Sequence, residues 1–181
     1  MNNWVVILGA SSGIGAACAK SLAKKGINIY GVYLRKKQRE IDVLKKAIEK
    51  YGVDVIFHKG NASNEKTIND AINKLSSMGE IRIKMLIHSI AFGTLKPMID
   101  IDGNQLNKKN IDMTLDVMSN NLLYWTQVLF AHKLFSEGSQ IIAMTSAGGR
   151  KNWNSYGAIS LAKSSLESIC RQLSLELAPY K

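Results

Sequence analysis

Three stretches of this sequence set chemically capable side chains at telling intervals. In "LGASSGIGAACAKSLAKKG", Gly9, Gly13 and Gly15 stand in the spacing GxxxGxG. Glycines at such intervals let the backbone turn tightly and approach a pyrophosphate, whose charge is stabilised by the free N–H groups of a helix N-terminus. Ser11 and Ser12 add hydroxyl donors, and Ile14 completes the loop. In "YLRKKQRE", Arg35 and its neighbour Lys36 offer cations for charge-assisted bonds to a phosphate. In "NSYGAISLAKSSLES", Tyr156 precedes Lys163 by seven positions. At about 100° per residue, seven helical steps return to within about 20° of the starting direction, so a phenol and an ammonium share one face.

These residues need elements to place them. Short Val- and Ile-rich runs at 4–9, 27–34, 53–58, 83–89 and 140–146 predict strands. Segments of helical period at about 14–25, 37–51, 64–77, 111–136 and 154–177 predict helices between them. Strands alternating with helices imply parallel pairing and right-handed crossovers, hence an α/β fold with a doubly wound, Rossmann-type sheet. The glycine loop then falls between the first strand and the first helix, the position where it binds a dinucleotide rather than merely turning the chain. Arg35 and Lys36 fall after the second strand, where an acid would hold the ribose 2′-hydroxyl of NAD; a cation there suits the 2′-phosphate of NADPH. Asn61, with Ala62 in "KGNAS" past the third strand, reads either as an amide facing the adenine or as an ordinary turn Asn. Residues 92–110, containing Gly93, Pro97 and Gly103, form a long loop after the fourth strand.

With 181 residues and 46% hydrophobic content, the chain predicts one domain across 1–181. Its net charge of +10 favours anionic partners: nucleic acid, an acidic carrier protein or a phosphorylated cofactor. Only 7% of residues are aromatic, most within apolar runs, which weighs against single-stranded nucleic acid. No stretch reaches the roughly 20 apolar residues a bilayer span requires, and no leader pattern precedes "NWVVILG". The expectation is a cytoplasmic protein without a membrane segment. Cys18 and Cys170 stand in no metal or redox spacing and predict core packing with no metal site. "LELAPYK" stops where a sixth strand is expected, so the reading is a fold cut short after the fifth helix, lacking the C-terminal strands and a substrate-covering segment.

Taken together, "GASSGIG", Ser146 at a strand end and the Tyr/Lys helix resemble the short-chain dehydrogenase/reductase family along essentially the whole chain. Most members of that family carry the Tyr four residues before the Lys, and here that position is Ile159. Ser146, seventeen residues before Lys163, keeps its usual distance, so only the Tyr has moved. The move of three residues shifts its Cα by about 4.5 Å along a helix axis. In carbonyl reduction the hydride lands on the carbonyl carbon, whereas in conjugate reduction of an enoyl thioester it lands on the β-carbon, two bonds further away. The polarising phenol must be displaced accordingly.

The Tyr-x6-Lys spacing is similar to that of the enoyl-acyl carrier protein reductases, and "LIHSIAFG" resembles their stretch after the fourth strand. The resemblance implies that Ser89, Ile90 and Ala91 lie along the cofactor, that Gly93 offers backbone to the thioester, and that His88 is structural. It implies that Tyr156 hydrogen-bonds the thioester carbonyl and stabilises the developing enolate. Lys163 would hold the nicotinamide ribose and favour ionisation of the phenol. Ser146 stands where many enoyl reductases have a second Tyr, as it does in ordinary family members and in a divergent NADPH-using branch. The implied activity is NADPH-dependent reduction of an enoyl thioester in fatty acid synthesis, with an acidic acyl carrier protein as candidate carrier. The alternatives are reduction of a 3-oxoacyl thioester and a dinucleotide-binding module without catalysis. The family also implies a homo-oligomer, a dimer through the fourth and fifth helices, and places its relay Asn near Asn120 or Asn121, which stay unassigned.

Overall fold

The computed structural model describes residues 2–180. Five strands, β1 (Asn2–Leu8), β2 (Asn28–Tyr33), β3 (Val55–Lys59), β4 (Ile81–His88) and β5 (Phe135–Ala143), form one sheet in the order β3-β2-β1-β4-β5. Strand β1 pairs in parallel with both β2 and β4, and β2 with β3. The strand order thus reverses beside β1, the switch point at which doubly wound folds bind ligands. Among the described residues six α-helices accompany the strands: α1 (Gly13–Ala23), α2 (Gln38–Glu49), α3 (Glu65–Ser76), α4 (Lys108–Leu115), α5 (Asn121–Ala131) and α6 (Gly157–Leu177). The α/β doubly wound architecture is the one the sequence predicts.

Contacts divide the chain into two compact units. One holds the chain up to Ser89 together with Trp125–Ile142; the other holds Ile90–Tyr124 and Ala143–Tyr180. In the first, Trp4 to Leu8 of β1 are fully buried, an unbroken apolar run that follows from a parallel strand covered on both faces. Helix α2 turns Ile41, Leu44 and Ile48 inward, and α3 begins at Asn64, whose side chain accepts from the N–H groups of Lys66 and Thr67. In the second unit, α6 packs against α4 and a π-helical turn, Asp116–Asn120. Met118, Ile159 and Ala162 form its buried cluster, with Leu115 and Tyr156 against it.

Two expected elements differ. The helix predicted over 111–136 is α4, the π turn and α5, and it ends at Ala131 because Lys133 takes a left-handed backbone, φ 54°, that no helix continues through. "FSEGSQIIA" then runs as β5 from Phe135, earlier than the predicted start at 140, and ends at Ala143, which leaves Ser146 in the following loop rather than at the strand end. The last helix begins at Gly157, not 154, since Ser155 sits at φ 61°. Cys18 and Cys170 are free thiols and only half-buried, so they flank the core instead of filling it. Among the described residues no helix is long and apolar enough to cross a membrane.

Candidate active site

The glycine loop belongs to the first unit. Gly9, at φ 88°, turns the chain out of β1, and the N–H groups of Gly9 and Ala10 both donate to the Val32 carbonyl, at 3.0 and 3.1 Å. Gly13, at φ 53°, opens α1. Gly15 is buried against the turn: a Cβ there would overlap the Gly9 carbonyl oxygen and lie 3.3 Å from the Ala10 Cα. The first turn of α1 carries no acidic residue, and Ser12, its N-cap, makes no side-chain capping bond. Ser12, Gly13 and Ile14 are exposed, while Ser11 is half-buried. A glycine turn packed tightly on an uncapped helix N-terminus fits the pyrophosphate of a dinucleotide. Beyond the same strand end, the Ser89 N–H donates to the Leu8 carbonyl at 2.8 Å.

Past β2, Arg35 is exposed. Lys36 is committed to Glu40 one turn into α2, at 2.7 Å, and that bond holds the Glu40 carboxyl below its ordinary range. Past β3, Asn61 does act as a turn residue: its Oδ1 accepts from the Ser63 N–H at 3.0 Å. That bond leaves the amide Nδ2 for a ligand. Ala62 is buried.

The second unit holds the Tyr, the Ser and the Lys. Lys163 on α6 is only 4% exposed, and burial pushes its pKa below the lysine value. Its Nζ donates to the Met144 carbonyl at 2.7 Å and, more loosely, to that of Ile90 at 3.5 Å. Ser146 caps a short 3₁₀ turn, Ala147–Gly149, its Oγ accepting from the Gly148 N–H at 3.1 Å. The Ser146 Oγ and the Tyr156 Oη are 3.4 Å apart, longer than the usual O–H···O bond.

Tyr156 is not within the helix, as the sequence predicts, but is its N-cap, at φ −97°, ψ 3°. Its N–H turns back to the Trp153 carbonyl at 3.2 Å, and its carbonyl accepts the first helical bond, from the Ser160 N–H at 2.9 Å. The shared-face estimate for an unbroken helix does not apply to a cap residue; what holds the ring is the loop before it. Trp153 meets the ring edge-on, with centroids 5.1 Å apart, and Gly148 lies against it so closely that a Cβ would overlap the ring. Neither Gly148 nor Trp153 is singled out by the sequence, although the glycine pair two residues after Ser146 is the available signal. Ile159, the position four before Lys163, is buried in the Met118 and Ala162 cluster.

Gly93 packs on the helices: a Cβ would come 2.6 Å from the Thr114 methyl, and the adjacent Thr94 N–H donates to the Thr114 hydroxyl at 3.1 Å. Ala91 is exposed and Ile90 half-buried. His88 is fully buried at the end of β4. Of the two candidate asparagines, Asn121 is fully buried and its Nδ2 donates to the Val117 carbonyl at 3.0 Å, inside the π turn.

Residues 9–181 match the family model described as enoyl-(acyl carrier protein) reductase. The chain belongs to the short-chain dehydrogenase/reductase family. An uncharacterized oxidoreductase of Bacillus subtilis, YhxC, is 29% identical over 95% of this chain and 58% of its own. The enoyl-[acyl-carrier-protein] reductase [NADH] FabI of Enterococcus faecalis is 27% identical over 99% of this chain and 69% of its own. A short-chain dehydrogenase/reductase from Serratia marcescens superposes with a TM-score of 0.85 at 20% identity, covering 99% of this chain and 70% of that one, a likeness of fold. The chain thus spans between about three-fifths and seven-tenths of these relatives' lengths. Membership of the short-chain dehydrogenase/reductase family implies a nicotinamide dinucleotide as cofactor, which the glycine cradle accommodates.

Proposed function

We propose that this chain belongs to an NADPH-dependent enoyl thioester reductase of fatty acid synthesis. The observation that carries the reading is the pair Ile159 and Tyr156. The position four before Lys163 is an aliphatic side chain, 8% exposed and locked in the core, while the phenol stands three residues earlier, at the helix cap beside Ser146. A phenol so displaced suits an oxygen remote from the carbon being reduced, as in conjugate addition to an enoyl thioester.

Bound NADPH supplies the hydride. The glycine loop binds the pyrophosphate through the α1 N-terminus, and Arg35 binds the 2′-phosphate. Tyr156 donates a hydrogen bond to the thioester oxygen and stabilises the enolate charge that develops there. Ser146 orients the phenol, and Lys163 binds the ribose hydroxyls. Ile90, Ala91 and Gly93 offer backbone along the bound molecules. The basic surface suits an acidic acyl carrier protein, and pairing of two copies through α4, α5 and α6 accords with the family.

One observation favours a second reading. The Ser146 and Tyr156 hydroxyls stand side by side, the arrangement a carbonyl reductase would use on a 3-oxoacyl thioester. The two are separated by following NADPH absorbance with crotonyl and acetoacetyl thioesters. The first reading expects turnover of the crotonyl thioester, with NADPH preferred over NADH by at least about tenfold, the worth of one charge-assisted bond. Turnover of the acetoacetyl thioester alone establishes the second, and NADPH binding without turnover of either leaves a binding module.

A further inference from the structure

Trp125 of α5 is fully buried, and its indole N–H donates to the carbonyl oxygen of Ala62 at 2.8 Å, a bond spanning 63 positions of sequence. Ala62 lies in the loop that follows β3, at the carboxyl end of a strand, where ligands of doubly wound folds sit. Several other bonds of this loop are short-range or run to the neighbouring strand. The Gly60 N–H donates to the Tyr33 carbonyl at 2.8 Å, the Asn64 N–H to the Asn61 carbonyl at 2.9 Å, and the Ser63 N–H to the Asn61 Oδ1 at 3.0 Å. Asn64 in turn caps α3. These bonds shape the turn; the Trp125 bond ties it to a helix distant in sequence. A buried carbonyl and a buried indole each need a partner, so loss of the indole N–H leaves Ala62 with an unsatisfied acceptor.

We infer that Trp125 is a positioning residue for the adenosine half of the dinucleotide. It fixes the Asn61–Ala62 turn so that Asn61, whose Oδ1 is held by Ser63, presents its Nδ2 as a donor to an acceptor nitrogen of the base. Pre-ordering the turn removes a cost the ligand would otherwise bear on binding. The inference rests on the dinucleotide reading of the glycine loop.

The test is calorimetric titration of the full chain with NADPH and with 2′,5′-ADP, for the wild type, Trp125→Phe, Asn61→Ala and the double variant. Trp125→Phe keeps the aromatic bulk and removes the N–H. Expected is a loss of about tenfold in affinity for both ligands in Trp125→Phe, shrinking to within about twofold when Asn61 is already Ala, because coupled residues are not additive. A role in general packing alone gives the same loss in both backgrounds and overturns the inference, as does affinity of Trp125→Phe within twofold of wild type. Failure of the wild type to bind either ligand instead sinks the dinucleotide reading itself. Should Trp125→Phe not fold, the indole ¹⁵N–¹H resonance of Trp125 in the wild type decides: it shifts on saturation with 2′,5′-ADP, and a resonance unmoved by bound 2′,5′-ADP overturns the inference.

Discussion

The hydroxyls of Tyr156 and Ser146 stand 3.4 Å apart, and each residue is also a helix cap: Ser146 of the 3₁₀ turn, Tyr156 of α6. The two hydroxyls are therefore held at the caps of two short-spaced turns, not by positions along one helix. If Tyr156 stabilises the enolate, Tyr156→Phe lowers turnover of a crotonyl thioester by about 10²–10³ while NADPH affinity stays within about twofold. Ser146→Ala costs less, and the double variant falls little below Tyr156→Phe, because the Ser acts through the phenol. Steady-state rates with separately measured NADPH binding check this; an unimpaired Tyr156→Phe enzyme removes the phenol from the mechanism.

The adjacent glycines after Ser146 differ sharply. A Cβ at Gly148 would overlap the Tyr156 ring and come 2.9 Å from Trp153, whereas one at Gly149 meets nothing closer than 3.5 Å, the Lys163 Cβ. Gly148→Ala is expected to destabilise by about 1–3 kcal/mol through overpacking and to cut turnover by displacing the phenol. Gly149→Ala is expected to change stability by no more than about 0.5 kcal/mol. Urea unfolding of the two variants, with rates measured on the same preparations, makes the comparison.

How much of this was readable in the sequence depends on whether a feature is local. The glycine loop was legible because strand, turn and helix N-terminus are contiguous, and the apolar run of β1 announces a strand buried on both faces. Strand β5 was half hidden. Its first residues, "FSEGS", look like the end of a helix, and their polar groups are satisfied only in three dimensions, with the Ser139 Oγ donating to the Ile83 carbonyl at 2.7 Å. The π turn and the cap position of Tyr156 depend on backbone angles at Ser155 and on which side chains fill the space beside it, and no periodicity reports those. Nor does spacing reveal Trp125, whose partner lies 63 positions away.

The nucleotide cradle makes its own prediction. Gly15 approaches backbone, so Ala at this site cannot be accommodated by a rotamer change; α1 must move away from the Gly9 turn. Gly15→Ala is expected to weaken NADPH binding by at least tenfold, roughly the loss of one strong phosphate contact, and to lower the melting temperature. At Gly13 nothing crowds a Cβ, but φ is 53°, so Gly13→Ala carries a backbone strain of about 1–2 kcal/mol with a smaller effect on affinity. Equal losses at the two sites would mean that the close approach of Gly15 to the Gly9 turn is not what binding depends on.

Lys163 links the site to pH. Burial lowers its pKa from the ordinary lysine value of 10.5, so the folded chain holds this proton less tightly than the unfolded chain does. Below the lowered value both states are protonated and folding carries the full cost of burying the charge. Between that value and 10.5 the unfolded state binds more protons, so this group's contribution to stability rises with pH and levels off above the unfolded value. Lys163→Met keeps an unbranched side chain one atom shorter and lacks the titration. The melting temperature of the wild type minus that of Lys163→Met is therefore expected to be flat at low pH and to grow in the wild type's favour as pH climbs toward the lysine range. Thermal melts of both proteins at matched ionic strength across that range test it, and a difference that shrinks with rising pH would mean that the ammonium is held by its carbonyl partners, Met144 above all, more strongly than burial opposes it.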